Sequence, residues 1–536
     1  MNNRKKEIIL ISSFFFIVSV FIISGIIFND KLIGRSLDFS VPPVDYLVKN
    51  NFLMNFHTWW GTMNGGARNT FGAALIPANS ILYFPLLFGA GAWFIGRYQI
   101  ILTLFSAMLF FYLLSRRLLE DYNVEEKNKI ALSVLGSLFF ALNNYFFSDI
   151  IFGSNAQYFT FSLSPLLAYS LISYFKFRRK KYFLLSFLAL FVMSSTLQHL
   201  LFAYVVLFLF SLVYRDYKFF LKLAILHILL SLYWILPLFY TASEVLTTEA
   251  AVDYSQGLIN SSSKLYPALI NSEYFANRNL YNLALNNKYL SFIWFLNAIV
   301  LLGVSLISLL KVRFFKKKSQ ELILGLSLML VVSIFFLKGG RAPLGNVVLF
   351  LYKTIPFFSL YRSLQHYLSF YTISISILFL FSGLFLIKKN KKFLYLLFLS
   401  VLINAMPWWY TLDLGAKNIP ATNKAPSYFS QFHLTKGNEK MYALSKLPLD
   451  FAVLHAPPGY SVNFFAVGEN KSDFITRPEG KIKSQGGDNG LFYGAKRFYA
   501  TDGPANNLSG VLNNMEPDMY TRKDFFEKNK NLISAL

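Results

Sequence analysis

Residues 367–392 read YLSFYTISISILFLFSGLFLIKKNKK. From Tyr367 to Ile387 there is no Asp, Glu, Lys or Arg, and then Lys388, Lys389, Lys391 and Lys392 follow almost at once. At about 1.5 Å per residue, an apolar helix of roughly 20 residues matches the hydrocarbon layer of a bilayer. No water is available there to backbone N–H and C=O groups, so the segment must satisfy its own hydrogen bonds as a helix. The lysine cluster places the end of that helix on the cytoplasmic side, where Lys and Arg accumulate.

The same pattern repeats outward from this segment. Towards the C-terminus, residues 393–410 form one further expected span. Towards the N-terminus, spans are expected at 321–337, 289–310, 219–240, 199–214, 182–195, 158–175, 130–148 and 98–115. A first span at 7–28 starts behind Arg4, Lys5 and Lys6. That first run is long for a cleavable leader and no small-x-small cleavage site follows it, so it reads as an uncleaved span. Residues 81–95 are apolar but broken by Pro85, Gly89 and Gly91, which suits an interfacial or re-entrant segment. In this alternation, Arg116-Arg117, the cluster Lys176–Lys181, Arg215, the cluster Lys311–Lys318 and Lys388–Lys392 all fall on one side. Shifting the count by one span would scatter them over both sides.

The expected fold is therefore an all-α polytopic membrane domain over 1–410, with about eleven transmembrane helices. Its N-terminus is cytoplasmic and its external loops are 29–80, 241–288 and 338–365. Residues 411–536 change character: apolar runs shrink to strand length, as in Phe451–Leu454 and Tyr460–Phe465, and Pro, Gly and Asn become frequent. They read as a small external α+β or β-rich region. The chain ends on Ile533-Ser534-Ala535-Leu536 without a clear closing element, which leaves room for a longer domain. The expected location is the cell (plasma) membrane, with the C-terminal region outside.

Composition agrees. Of the 536 residues 55% are hydrophobic and 15% charged, against roughly 25% charged in soluble domains. The net charge of +24 would suggest nucleic acid in a soluble protein, but here it recurs at alternate ends of apolar runs, so no nucleic-acid partner is expected. There is no cysteine, which removes disulfides, thiolate metal sites and cysteine nucleophiles. The phosphate-cradling Gly-x4-Gly-Lys loop is missing, as are Asp-x-Asp and His-Glu-x-x-His. Neither ATP-driven transport nor a metal or other cofactor is expected, and ionisable groups inside the spans are few.

Chemistry is sought in the external loops. Asp38 lies about ten residues beyond the first span, near the membrane surface, where an acid can take a proton from an attacking hydroxyl. Asp45 follows Pro42-Pro43 and begins a more regular stretch, as a helix cap does. Trp59 and Trp60 are candidates to stack on a sugar ring or to anchor at the interface. In the third loop Lys338, Arg341, Lys353, Arg362 and His366 gather near span ends. An arginine at that depth can hold a phosphate bidentately or snorkel to ordinary headgroups. His199 is expected in the external turn of the 182–214 hairpin, and His227 as a packed, hydrogen-bonded side chain within a span.

This layout resembles the GT-C superfamily of membrane glycosyltransferases. The resemblance rests on Asp38-Phe39-Ser40-Val41-Pro42, Trp59-Trp60, Pro77 and Tyr83-Phe84-Pro85 in the first loop. Pro356–Arg362 and, loosely, Pro426-Ser427-Tyr428 add to it. These stretches look like the arabinofuranosyltransferase-like and related branches. The resemblance implies an inverting, nucleotide-independent transfer from a polyprenyl-phosphate sugar to an extracytoplasmic glycan, lipid or protein. In it Asp38 is the catalytic base, and Asp45, Trp59, Trp60, His199, Arg341, Arg362 and His366 bind substrate. The Trp-Trp pairs lead into Gly61 and Tyr410 rather than Asp, unlike the oligosaccharyltransferase acceptor motif, which argues against transfer to asparagine. Two other readings share the basic phosphate site or the external region: a flippase for a lipid-linked saccharide, and an envelope assembly protein that binds glycan.

Overall fold

The structure, a computed structural model, describes residues 3–27, 72–143, 145–147, 155–250, 288–341, 343–354 and 364–408. It also describes short pieces at 32–34, 49, 52–53, 56, 59–60, 67–68, 430–432, 452–454 and 497–499. The described residues are mostly helical. The helices are α1 (Asn3–Ile22), α2 (Ser24–Ile27), α3 (Ile76–Leu82), α4 (Ala92–Leu119), α5 (Glu126–Ala141), α6 (Asn155–Ser162), α7 (Ser164–Phe177) and α8 (Lys180–Met193). They continue with α9 (Leu197–Tyr214), α10 (Tyr217–Ala250), α11 (Lys288–Leu310), α12 (Lys317–Leu337), α13 (Gly345–Thr354), α14 (Leu368–Lys389) and α15 (Phe393–Asn404). Six helical segments among the described residues are long and apolar enough to cross a membrane: Trp93–Leu119, Leu197–Tyr214, Tyr217–Pro237, Phe292–Leu310, Lys317–Leu337 and Leu368–Lys389. The protein is membrane-embedded on that ground.

Several expected boundaries shift. The 158–175 segment is two helices, α6 and α7, because the helix restarts after Leu163 with Pro165 in its first turn, where the missing N–H costs nothing. The chain after 240, expected as loop, continues as helix to Ala250 despite Pro237; no Gly or Pro stands between 238 and 250 to stop it. The last expected span, 393–410, breaks at Ala405: α15 ends at Asn404 and residues 406–408 are helical again.

The segment that opened the sequence reading is the centre of the bundle. Helix α14 packs against α5, α11, α12 and α15 and is buried from Leu368 to Phe385. Small residues make this close approach possible. A Cβ on Gly383 would sit 2.6 Å from Leu132 Cδ1 of α5. Ser382 Oγ donates to the Ser305 carbonyl at 3.0 Å and accepts the Ser308 N–H at 2.8 Å, joining α14 to α11.

Ion pairs tie alternate helix ends into one rim. Arg116 Nε meets Glu7 at 2.8 Å, Arg117 meets Glu120 at 2.6 Å, Lys176 meets Asp121 at 2.7 Å, and Arg4 reaches Glu120 at 3.6 Å. Arg178 pairs with Asp216, Lys391 with Glu125, and Arg215 with Glu321. The opposite ends meet one another separately: Ala78 N–H donates to Ser195 Oγ at 3.1 Å, and Trp294 Nε1–H donates to the Asn404 carbonyl at 3.3 Å. The helices thus run between a charged rim and an opposite end.

The rim makes stability acid-sensitive. Burial would raise the Glu120 carboxyl, but the hydrogen bond from Lys176 and the charge of Arg117 outweigh it and hold it below its usual 4.5. Asp216 is likewise desolvated, yet its bond from Arg178 keeps it below its usual 3.8. Carboxylates depressed in the folded state contribute stability that is present above their unfolded values and lost as pH falls through the folded ones. The melting temperature should therefore be flat near neutrality and fall as pH drops below 4.5. Glu120→Gln should blunt that fall; an unchanged acid limb in the variant would remove Glu120 from the account.

The chain divides into two compact units, Met1–Asp30 with Ala74–Pro85 and Ile95–Ile419, and Lys31–Ala73 with Leu86–Phe94 and Pro420–Leu536. All contacts described above lie within the first. In the second, β1 (Leu32–Gly34) pairs antiparallel with β4 (Ser430–Phe432), matching Leu32 to Phe432. Strands β2 (Trp59–Trp60) and β3 (Ala67–Arg68) pair antiparallel, and β5 (Ala452–Leu454) pairs parallel with β6 (Arg497–Tyr499).

Candidate functional site

The rest of the candidate site starts at the turn between α8 and α9. Ser194, Ser195 and Thr196 make the turn and the helix resumes at Leu197. His199 is therefore a residue of the first turn of α9, not of the loop, and it is wholly buried. The expectation that His199 lies in the hairpin's external turn is corrected here. The apolar run of α9 begins two residues earlier than the turn reading assumed and draws His199 in with it.

Its partners come from three other places. Thr160 of α6 is 2.8 Å from His199 Nδ1, Thr196 is 3.0 Å from the same nitrogen, and the Tyr145 hydroxyl is 3.3 Å from Nε2. Thr160 Oγ1 donates to the Gln157 carbonyl at 2.7 Å, so it accepts from Nδ1–H. Tyr145 then donates to Nε2, and the imidazole is a neutral Nδ1–H tautomer. Phe161 and Phe202 wall the ring, at centroid distances of 5.7 and 6.4 Å. One turn of α6 earlier, Gln157 Nε2 is 2.9 Å from Nδ1 of His366, which is buried in the 3-10 turn Leu364–Tyr367 before α14. The structure thus brings His199 and His366 into one polar cluster at the end of the bundle opposite the charged rim.

A cationic segment adjoins it. Helix α12 packs against the Leu364–Tyr367 turn, with Phe336 stacked on Tyr367 at 4.6 Å. Two residues on, Lys338 is almost fully buried and donates to the Arg341 carbonyl at 2.8 Å. Burial pushes its ammonium below the usual range, as it does for a cation not fully compensated. Arg341 is half-buried. The buried Lys338 ammonium, with half-buried Arg341 three residues on, suits an anion arriving at the membrane surface.

Trp59 and Trp60 stand in β2, paired with Arg68 and Ala67. Asp38, Asp45 and Arg362 lie outside the described residues. His227 is buried as expected, bonded to the Tyr204 hydroxyl at 2.9 Å and Ser231 at 3.2 Å. The sequence reading named both histidines but missed Gln157, Thr160, Thr196 and Tyr145. The available signal was spacing: Gln157 and Thr160, and Thr196 and His199, stand three apart and so share a helix face. Among the described residues, no group of three or more His, Asp or Glu is placed to hold a metal ion. Comparison of the chain with protein-family models, with curated proteins and with solved structures gives no match.

Proposed function

We propose that this chain is a membrane glycosyltransferase that moves a sugar from a polyprenyl-phosphate donor to a glycan, lipid or protein acceptor on the outer side of the cell membrane. The observation that carries the reading is the cluster of His199, His366, Gln157 and Thr160 beside buried Lys338. It stands at the end of the bundle away from the charged rim. By the positive-inside rule the rim is cytoplasmic, and the cluster then faces outward. A lipid-phosphate donor presents its anion at that depth, within the reach of Lys338 and Arg341, with Arg362 as a third cation. Asp38 is the base that activates the acceptor hydroxyl. Trp59 and Trp60 bind the acceptor, and Asp45 supports the loop between them and Asp38.

In this reading about eleven helices cross the membrane, five of them shorter or more polar than the six long ones. The N-terminus is cytoplasmic, and residues 411–536 form the external domain. The pairing of Leu32–Gly34 with Ser430–Phe432 favours it, because it needs the first loop and the C-terminal region on the same side. An even number of crossings must then separate them.

Two experiments test the proposal. Reporters fused after Arg179 or Lys317 should read cytoplasmic, and those after Ser261 or Ser427 external; an external reading at Lys317 would overturn the orientation. For the activity, purified protein is given polyprenyl-phosphate sugars labelled in the sugar, together with envelope glycan. Label should pass to the acceptor with release of polyprenyl phosphate. Movement of intact labelled lipid across a vesicle bilayer without transfer would replace the enzyme by a flippase.

A further inference from the structure

A second polar site lies between α5, α11, α14 and α15, one to two helical turns in from the end opposite the charged rim. It is a cavity of about 30 Å³ whose lining includes Asn143, Trp294, Tyr371, Thr372, Ser376 and Asn404. Among the described residues, no Lys, Arg, His, Asp or Glu lines it. Thr372, Ser376 and Asn404 are each more than nine-tenths buried. Thr372 Oγ1, Ser376 Oγ and Asn404 Nδ2 have no hydrogen-bond partner among the described residues.

Hydroxyls on membrane helices ordinarily satisfy themselves by donating to the carbonyl four residues back. Some do here: Ser19 bonds Phe15 O at 2.8 Å, Ser137 bonds Ser133 O at 2.7 Å, and Ser305 bonds Leu301 O at 2.7 Å; others, such as Ser115 and Ser327, are buried without a partner among the described residues but do not line this cavity. Thr372 and Ser376 make no such bond, although each has such a carbonyl within its own chain. They are four residues apart, so they share a face of α14, and that face meets the amide of Asn404 across the cavity. An unpaired buried polar group is costly, and three of them converging on one cavity is the arrangement of a site that receives a ligand.

We propose that this cavity is a binding seat for neutral hydroxyl oxygen. The ligand is an uncharged O–H group, which can accept from Asn404 Nδ2–H and both donate to and accept from the two side-chain hydroxyls. With no charged residue among the described lining, a phosphate or an ammonium would be stranded without a counter-charge. A cavity needs about 10–15 Å³ of this measure for one water, so the seat takes about two oxygens. Two sources present that chemistry: ordered water, and the terminal hydroxyl or hydroxymethyl of a membrane-borne polyol. The inference does not rest on the glycosyltransferase reading.

The test uses the purified full-length protein in nanodiscs, with Thr372→Val and Ser376→Ala. If these hydroxyls bond a seated oxygen, each apolar replacement breaks a bond and strands the others, and the melting temperature should fall by about 1–3 °C. If the cavity is dry, each replacement removes an unsatisfied group and the melting temperature should rise, which overturns the proposal. Nanodiscs of pure phosphatidylcholine and of lipid extracted from the source membrane separate the two sources. A fall in both identifies water, and a fall confined to the native lipid identifies a lipid-borne hydroxyl. Density at high resolution is the independent measurement. An oxygen-sized feature within hydrogen-bond reach of both Thr372 Oγ1 and Asn404 Nδ2 is expected, and a cavity without one would overturn the proposal even if a variant failed to fold.

Discussion

Purified Asp38→Asn protein should transfer sugar about 10²–10⁴-fold more slowly than the parent, the usual worth of general-base assistance, with expression and melting temperature little changed. The effect should fall on kcat rather than on donor affinity, because the donor phosphate is held by cations and not by this acid. Asp45→Asn should behave differently. Asp45 opens a stretch with apolar residues at near-helical spacing, and Pro42-Pro43 stiffen the chain between the two acids. As a cap it is worth on the order of 1 kcal/mol of stability, with turnover near normal. Full turnover in Asp38→Asn, together with a folded but inactive Asp45→Asn, would exchange the two roles. The flippase reading predicts that both variants move lipid normally.

Arg116→Met should be the most damaging single change in the charged rim. Arg116 and Glu7 are enclosed between α1 and α4, with side chains only 11% and 17% exposed. Glu7 accepts from Arg116 Nε at 2.8 Å and from the Tyr112 hydroxyl at 2.5 Å. Taking the guanidinium away leaves Glu7 enclosed with a single neutral donor and leaves Glu126 only the longer pair to Lys129 at 3.7 Å. Removing one member of a buried pair costs about 3–5 kcal/mol, most of it the penalty of the stranded charge. The expected result is a large loss of thermal stability and of protease resistance. Restoring part of it with Arg116→Met/Glu7→Gln would identify the stranded charge as the cause; no recovery would mean that lost packing dominates. Lys127, 79% exposed beside Glu125, is the control, and Lys127→Met should cost well under about 1 kcal/mol.

The helical, membrane-embedded character was legible because it depends on composition over about 20 residues, and nothing in a bilayer competes with that signal. The quoted segment at 367–392 shows both the reach and the limit of such reading. Its length and lysine cluster gave the span α14 within two residues at either end. Its place at the centre of the bundle was also encoded, in Ser382 and Gly383, but small residues say only that something packs closely and not what. Helix ends were less legible where no breaker stands, as after Pro237, or where a proline restarts the helix, as at Pro165. At the candidate site, His199 and His366 could be named as unusual polar residues beside spans. That they share a cluster depends on Gln157 and Thr160, which come from a helix 209 residues away from His366 in the case of Gln157. No local pattern carries a contact of that separation. The cavity at Thr372 was invisible for the opposite reason: serine and threonine are common in membrane helices, several buried serines here lack a partner, and only convergence with Asn404 on one cavity sets these two apart.

The short helices α8 and α15 have a consequence for the lipid around the protein. With 14 and 12 residues, they are about 21 and 18 Å long, against roughly 30 Å of hydrocarbon. Both carry exposed apolar side chains, Leu184 and Leu188 on the first and Tyr395, Leu396 and Leu399 on the second. In the proposed topology, where both cross the membrane, lipid tails at these two flanks shorten or tilt to match, at fractions of a kcal/mol per Å, while the longer α10 and α12, with much of their apolar surface exposed, demand full thickness. That topology gives the protein an uneven hydrophobic girdle and predicts a dimple in its bilayer. The protein should favour short-chain over long-chain lipids in reconstitution. A dimple of this kind brings the headgroups, and any long prenyl chain anchored among them, deeper towards the middle of the bundle than a flat membrane would.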